Sequence, residues 1–586
     1  MSLILNEVTL VEIGCVIALL LLAWLIPGRA ARPLAALESA FRRLPTSCGV
    51  QMVIVGLFAV ALRAVFLPWI GPAVPLIPDE HSLMLQAMTF LEMRFANPTH
   101  PFWEHFQAMH VNQVPAYASM YFPGRGLPLA IGLLLADNAW IGVWISFVLF
   151  AMSTVWMLRG WTGPRVALAG GLLVVLRLGA GSYWINSYWG GAFTAMGAML
   201  VFGALPRLLR EPRWSHGAAL GLGALILMTT RPFEGGVFCA ALGLFTLPRL
   251  LKSGSGMLGH VALRAGIPLV VGVAVGAGTL LQYNAATTGD PFVAPYDLNR
   301  QQYATTPAFL IQAPITPHPP SAQIPGNFKA VYEVEADNYL ASRQSIQGLI
   351  WFELVKSFHV FNFFVGFAIS IAFLAGLWES RRDLPVLGTL VAFFAAHMLT
   401  SWHFPHYASP LYAPLLLITM RGLVALGRWS VNGKPVGYVI SRGSLIVAAN
   451  TLVVLSLHLA IGWPKDVTNS WNRTCCAIKD SSENSQVIAQ LEAIPGDDLV
   501  LVYQNAFFPI YSDVVYNGAD LDGSPVLFAH ALSPDSDARL IDYYRDRRIW
   551  AMRFRQGGYA LVPIAEDGQA PRGGREVSSL GAVAAP

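Results

Sequence analysis

The 586-residue chain is 55% hydrophobic and only 12% charged, with a net charge of +4. A soluble domain of average composition carries about 25% charged residues, so this chain lacks the charge to cover a water-exposed surface and an ordinary soluble protein is excluded. The small net charge offers no basic field for nucleic acid, and no nucleic-acid partner is expected.

The first apolar run is preceded by Glu7 and Glu12 and by no Lys or Arg, whereas Arg29, Arg32, Arg42 and Arg43 follow it. A secretory signal places its positive charge first. This order predicts a retained helix with its N-terminus outside. Further runs, each extendable to the roughly 20 residues that cross a hydrocarbon core, predict twelve spans: 8–27, 50–68, 138–158, 165–183, 188–205, 215–231, 234–250, 264–282, 360–378, 384–402, 407–424 and 443–462. The loop charges alternate along this series. One set of loops holds Arg29 to Arg43, Arg159/Arg165, Arg207/Arg210/Arg213, Arg249/Lys252/Arg264, Arg381/Arg382 and Arg421/Arg428/Lys434/Arg442, and the opposite set is sparse. The excess of positive charge on inner loops places the arginine-rich set in the cytoplasm. Residues 69–126, 283–357 and the tail from 463 then face outside. The segment 127–136 is apolar but short, which suits a re-entrant or interfacial helix. The predicted organisation is a first helix and loop (1–49), a transmembrane domain (50–462) and an outer α/β domain (463–586).

The first outer loop is the densest in chemistry. Asp79 and Glu80 follow closely on the second span, and residues 80–93 carry apolar side chains at Leu83, Leu85, Met88, Phe90 and Leu91, a pattern for a helix in the interface. His81, His100, His105 and His110 crowd the same loop beside Trp103, Tyr117 and Tyr121. Tyr183, Trp184, Tyr188 and Trp189 gather at another outer edge with Asn186 and the Gly190-Gly191 pair; an aromatic belt and a sugar-stacking surface both fit. His403 and His406 flank a further outer turn, and 283–357 is long enough for a lid. In the tail, 499–503, 526–529 and 549–554 read as strands and 535–545 as a helix capped by Ser533 or Asp535. The stretch from 566 is rich in Gly, Ala and Pro and reads as frayed. Five cysteines (Cys15, Cys48, Cys239, Cys475, Cys476) form no Cys-x-x-Cys pair; a vicinal disulfide at 475–476, two free thiols, or one thiol pairing elsewhere all remain open.

Asp79-Glu80, Asn97-Pro98-Thr99-His100-Pro101, Trp103, His105-Phe106, His110 and Tyr121 to Gly126 together resemble the first outer loop of the GT-C glycosyltransferase superfamily. The likeness is to bacterial members akin to protein O-mannosyltransferases and the lipid A aminoarabinose transferase. The segments 182–191, Arg231-Pro232-Phe233-Glu234-Gly235 and His406-Tyr407 also resemble that family, over about 50–425. The resemblance implies an all-α polytopic fold in a bacterial inner membrane, with 50–462 as the catalytic domain and the first helix (1–49) as an addition to it. It further implies a polyprenyl-phosphate sugar donor, an envelope acceptor of unknown identity, and an active site on the periplasmic face.

Glycosyl transfer needs a base for the acceptor hydroxyl, and Asp79 is the candidate with Glu80 as the alternative. The same pair could instead cap the interfacial helix. A phosphate leaving group needs positive charge, for which Arg231, Arg125 and Lys356 are candidates. Arg231 could equally snorkel or pair with Glu234. His100, His105 and His110 could bind substrate, or join the acids around a divalent cation, though His105 and His110 lack the zinc-peptidase spacing. Tyr121, Trp184, Asn186, Trp189, Glu234 and His406 complete the substrate-binding candidates. The alternatives are a transporter or lipid flippase, which would want ionisable residues at mid-membrane, and a non-catalytic scaffold of the same fold.

Overall fold

The computed structural model describes residues 7–252, 254–402, 404–463, 483–505, 514–556, 558–564 and 577–578. Expectations for His403, for Cys475 and Cys476 and for the tail beyond 578 lie outside them. Cys15, Cys48 and Cys239 are free thiols. The chain forms two compact units. One holds 1–73, 140–279 and 345–479; the other gathers 74–139, 280–344 and 480–586.

The first unit is helical. Among the described residues eight helices are long and apolar enough to cross a membrane: Glu7–Leu25, Cys48–Ile70, Ala139–Trp161, Ala192–Arg210, Pro232–Leu251, Ser255–Thr288, Ser409–Leu426 and Val436–Ile461. The other four expected spans contain helices too short to meet that length, Pro164–Leu178, Trp214–Thr230, Ser370–Glu379 and Leu384–Met398. The run expected as one span at 360–378 is broken. Helix Ile346–Phe364 stops, and Ser370–Glu379 begins after an irregular stretch containing Gly366 at φ 64°.

A break in an apolar setting strands backbone polar groups that lipid cannot satisfy. Two charged side chains answer it. Arg177 donates to the Val365 carbonyl (2.7 Å), and Glu12 accepts from the Ala368 amide (3.1 Å). The two lie 3.7 Å apart, 1% and 0% exposed. The first helix is therefore tied to the bundle by a buried ion pair. Lys356, fully buried, donates to the carbonyls of His397 (3.0 Å), Met398 (3.3 Å) and Thr400 (2.7 Å), and so satisfies the C-terminal end of helix Leu384–Met398.

The second unit is built on a sheet in the order Val526–His530, Asp498–Tyr503, Arg548–Arg555, Gly558–Pro563, Val577–Ser578. The first three strands are parallel and the last two antiparallel. The three parallel strands and the helix Pro534–Tyr543 match the sequence reading to within two residues, with Ser533 accepting at the cap from the Ser536 amide. Alternate residues face opposite ways. Val500, Val502, Phe528 and Met552 pack with Val487 and Leu491 of helix Glu483–Glu492. Leu499, Leu501, Leu527 and Ala529 pack instead with Leu85, Phe106, Val111 and Tyr117 of the segment 78–126. Both faces are thus covered, as parallel strands require.

Candidate active site

Helix Pro78–Leu91 opens with proline at its first position, where no amide donor is lost. Glu80 turns back over this end. Its Oε2 accepts from the amides of Leu76 (2.9 Å) and Ile77 (3.4 Å), closing a capping box, and the residue is 3% exposed. Asp79, one residue earlier and about 100° round the helix, points elsewhere. Its Oδ1 accepts a short hydrogen bond from the Tyr121 hydroxyl, and its Oδ2 stands 3.5 Å from His110 Nδ1. The Arg125 guanidinium lies over the Tyr121 ring, 4.4 Å from its centroid. The adjacent acids therefore have different work: Glu80 serves the backbone, and Asp79 enters a cluster with His110, Tyr121 and Arg125.

Each member is held from behind. His110 adopts a left-handed backbone conformation at φ 63°, and its carbonyl accepts from Ser82 Oγ at 2.6 Å. Gln86 Nε2 donates to the Tyr121 carbonyl (2.8 Å) and to the Tyr283 hydroxyl (2.6 Å). Gly126 leaves the room Gln86 needs, since a Cβ there would collide with its amide. Helix Pro78–Leu91 is enclosed on most sides, with Leu83, Leu85, Gln86 and Thr89 all buried. The Asp79 side chain keeps 25% of its surface open and His110 keeps 16%. Burial disfavours the Asp79 anion, but His110, Tyr121 and Arg125 outweigh it and hold the carboxyl below the usual carboxylate range. The first turn of the helix favours the same charge.

The other histidines of this loop have protein partners. His105 Nδ1 meets the His530 carbonyl (2.8 Å) and its Nε2 meets Ser536 Oγ (2.9 Å). His100 Nδ1 accepts from the Phe102 amide (3.0 Å), which leaves Nε2–H for the Tyr544 hydroxyl (3.1 Å) and Asp522 (3.3 Å). His81 stacks on Tyr516 with ring centroids 4.2 Å apart. Among the described residues no group of three or more His, Cys, Asp or Glu side chains is gathered as a metal site. Asp79 and His110 supply two donors and Glu80 is committed to the cap. The present donor set does not fit a resident divalent cation, and no step is derived through one.

The remaining candidates lie in the membrane unit. The Arg231 guanidinium sits 3.9 Å over the Tyr407 ring and 3.9 Å from Glu234. Next to Tyr407, His406 lies 3.3 Å from the Tyr183 hydroxyl and 4.9 Å, centroid to centroid, from Trp189. Arg231, Glu234, His406 and Trp189 are thus brought into one aromatic-lined cluster. Trp184 is not part of its surface; it is fully buried among Phe150, Phe363, Phe364 and Tyr412. Asn186 is spent on structure. It accepts from Arg63 Nε (3.1 Å) and donates to the carbonyls of Ala180 (2.8 Å) and Ser182 (3.0 Å). Arg63, fully buried over Trp140, also donates to the Gly71 carbonyl, just ahead of the loop that carries Asp79. Sequence reasoning passed over it, although a lone arginine inside an apolar span is itself a signal.

No family model and no curated protein matches the chain. Among solved structures the chain is similar to ArnT from Cupriavidus metallidurans. The apo form is 12% identical, with 90% of this chain and 100% of that one covered and a TM-score of 0.48. The form bound to undecaprenyl phosphate is also 12% identical, with 88% and 99% covered and a TM-score of 0.48. It is similar too to the archaeal oligosaccharyltransferase AglB from Archaeoglobus fulgidus, in complex with an inhibitory peptide and a dolichol-phosphate. There the identity is 10%, the coverage 86% of this chain and 69% of that one, and the TM-score 0.43.

Proposed function

We propose that the protein is a membrane glycosyltransferase that moves a sugar from a polyprenyl-phosphate donor to an acceptor hydroxyl on the outer, periplasmic face. The observation that carries this reading is the Asp79 carboxylate, kept ionised and partly open between His110, Tyr121 and Arg125. A carboxylate of lowered basicity does not strip a proton from a free alcohol. It orients the O–H and takes the proton as the new C–O bond drains electron density from that oxygen. His110, at 3.5 Å, is placed to stabilise or relay that charge. The acceptor oxygen bonds to the anomeric carbon, the C–O bond to phosphate breaks, and the leaving phosphate keeps the bonding pair. Arg125 is the cation at this cluster for that growing charge. Arg231 is assigned separately to an anionic lipid headgroup at the membrane unit. Lys356, His100, His105, Trp184 and Asn186 are assigned to architecture, because their polar atoms or faces are engaged within the protein.

The test is Asp79→Asn in the purified full-length protein, assayed for transfer of labelled sugar from polyprenyl-phosphate donors to envelope extracts. Loss of about 10²-fold or more is expected, in a variant that still folds. Retained transfer by the folded variant would overturn the assignment. The transporter alternative would draw on Glu12 and Arg177, the buried ionic pair of the membrane unit. Both are bound to the backbone of a helix break, which suits a clamp better than a moving relay.

A further inference from the structure

The membrane unit contains a second feature that the glycosyl-transfer reading does not use. A cavity of about 350 Å³ opens between helix Pro27–Phe41 and the helices Pro164–Leu178, Tyr412–Leu426 and Val436–Val447. Its volume falls in the range of ligand pockets. Its walls are almost wholly apolar. Leu34, Leu37 and Phe41 recur on one face of the first helix, and Ala169, Leu172 and Leu176 on one face of the second. From Arg165 to Leu176 the lining runs along roughly 16 Å of helix, a length suited to an extended hydrocarbon chain.

The polar lining residues are Arg42, Arg165, Arg442, Glu38 and Ser441. Three arginines against one glutamate leave the rim positive. Glu38 organises it, accepting from Arg42 Nη2 (2.6 Å), Arg442 Nε (3.1 Å) and Tyr438 Oη (2.9 Å). Arg165 is exposed at the same mouth, its Nη2 3.5 Å from the Arg42 carbonyl. An apolar slot with a cationic rim matches one chemistry, an acyl chain that ends in an anionic headgroup. A peptide helix would leave the rim charge unanswered, and a neutral lipid would not use it.

We propose that this cavity binds one anionic phospholipid, with an acyl chain between helix Pro27–Phe41 and the bundle and its phosphate on Arg42 and Arg165. The first helix and its loop would then form a lipid site rather than a bare anchor. The full-length protein, purified and delipidated, should be titrated with phosphatidylglycerol and with phosphatidylcholine of the same chains, and the bound lipid counted by native mass spectrometry. One phosphatidylglycerol per chain is expected, held at least about tenfold more tightly than phosphatidylcholine. Arg42→Gln with Arg165→Gln should erase that preference, and Ala169→Phe should block both lipids. Should the double variant fail to fold, the exposed Arg165→Gln alone carries the test and should weaken the preference. Equal binding of the two lipids by the wild type, or a preference unchanged in a folded arginine variant, would overturn the proposal. So would undiminished binding by folded Ala169→Phe.

Discussion

The molecule holds two acid–base clusters of opposite design. In the membrane unit Glu12 and Arg177 are sealed from solvent and each is bonded to backbone at the helix break. In the second unit Asp79 and His110 lie at a similar separation, but a quarter of the carboxylate stays open. A charge sealed from solvent on every side stabilises architecture. A charge pinned on one side and open on the other can meet a substrate. The contrast lies in coordination rather than in residue type.

The sharpest way to break the comparison is Arg177→Met. It leaves Glu12 buried without its cation and should cost about 3–5 kcal/mol, read as a fall in denaturation midpoint, whereas Glu12→Leu with Arg177→Met should recover much of it. Asp79→Asn gives up the anion that His110, Tyr121 and Arg125 hold, and should lower the same midpoint by less, about 1–3 kcal/mol. Equal destabilisation at both sites would erase the distinction.

Acid acts on two neighbouring groups of the Asp79 helix in different pH windows. Burial against Tyr516 lowers the pKa of His81 to about 3. The unfolded chain then binds a proton that the folded one refuses, so this part of the stability is complete above about pH 6.5 and lost as pH falls towards 3. From pH 6.5 to 5 the loss should be about 2 kcal/mol, and His81→Phe should flatten that slope in thermal melts. Asp79 acts in the same sense but in a lower pH window. Its lowered pKa means that its contribution is complete above about pH 4 and fails only in stronger acid. Tyr121→Phe removes one hydrogen bond to the anion and should move the acid limb of the rate profile upward by about one pH unit. The smallest effect belongs to Glu80→Ala, which should cost about 1 kcal/mol through the lost cap while transfer persists.

Eight of the expected spans and the parallel strands were legible because their information is local. Low charge and long apolar runs mark helices for lipid, and the alternation of Leu499 to Tyr503 needs only its own residues. The split between Asp79 and Glu80 was not legible. Both are acids at a helix start, and the choice is made by where the amides of Leu76 and Ile77 point. The histidines were misleading for a related reason. His100 and His105 look like a substrate-binding set in the loop, yet their partners Asp522 and Ser536 lie 422 and 431 positions away in the chain. No spacing rule reaches that far. The broken helix after Phe364 was hidden too, because Gly366 and its neighbours are as apolar as a continuous span and only Glu12 and Arg177 reveal the interruption.

The pairing of Leu85 and Phe106 with Leu499 and Leu527 has a temporal meaning. The helix that carries Asp79 is synthesised long before the strands that cover it. Completion of this core is therefore a late event in biogenesis: a nascent chain without these strands leaves the Asp79 helix with part of its apolar face uncovered.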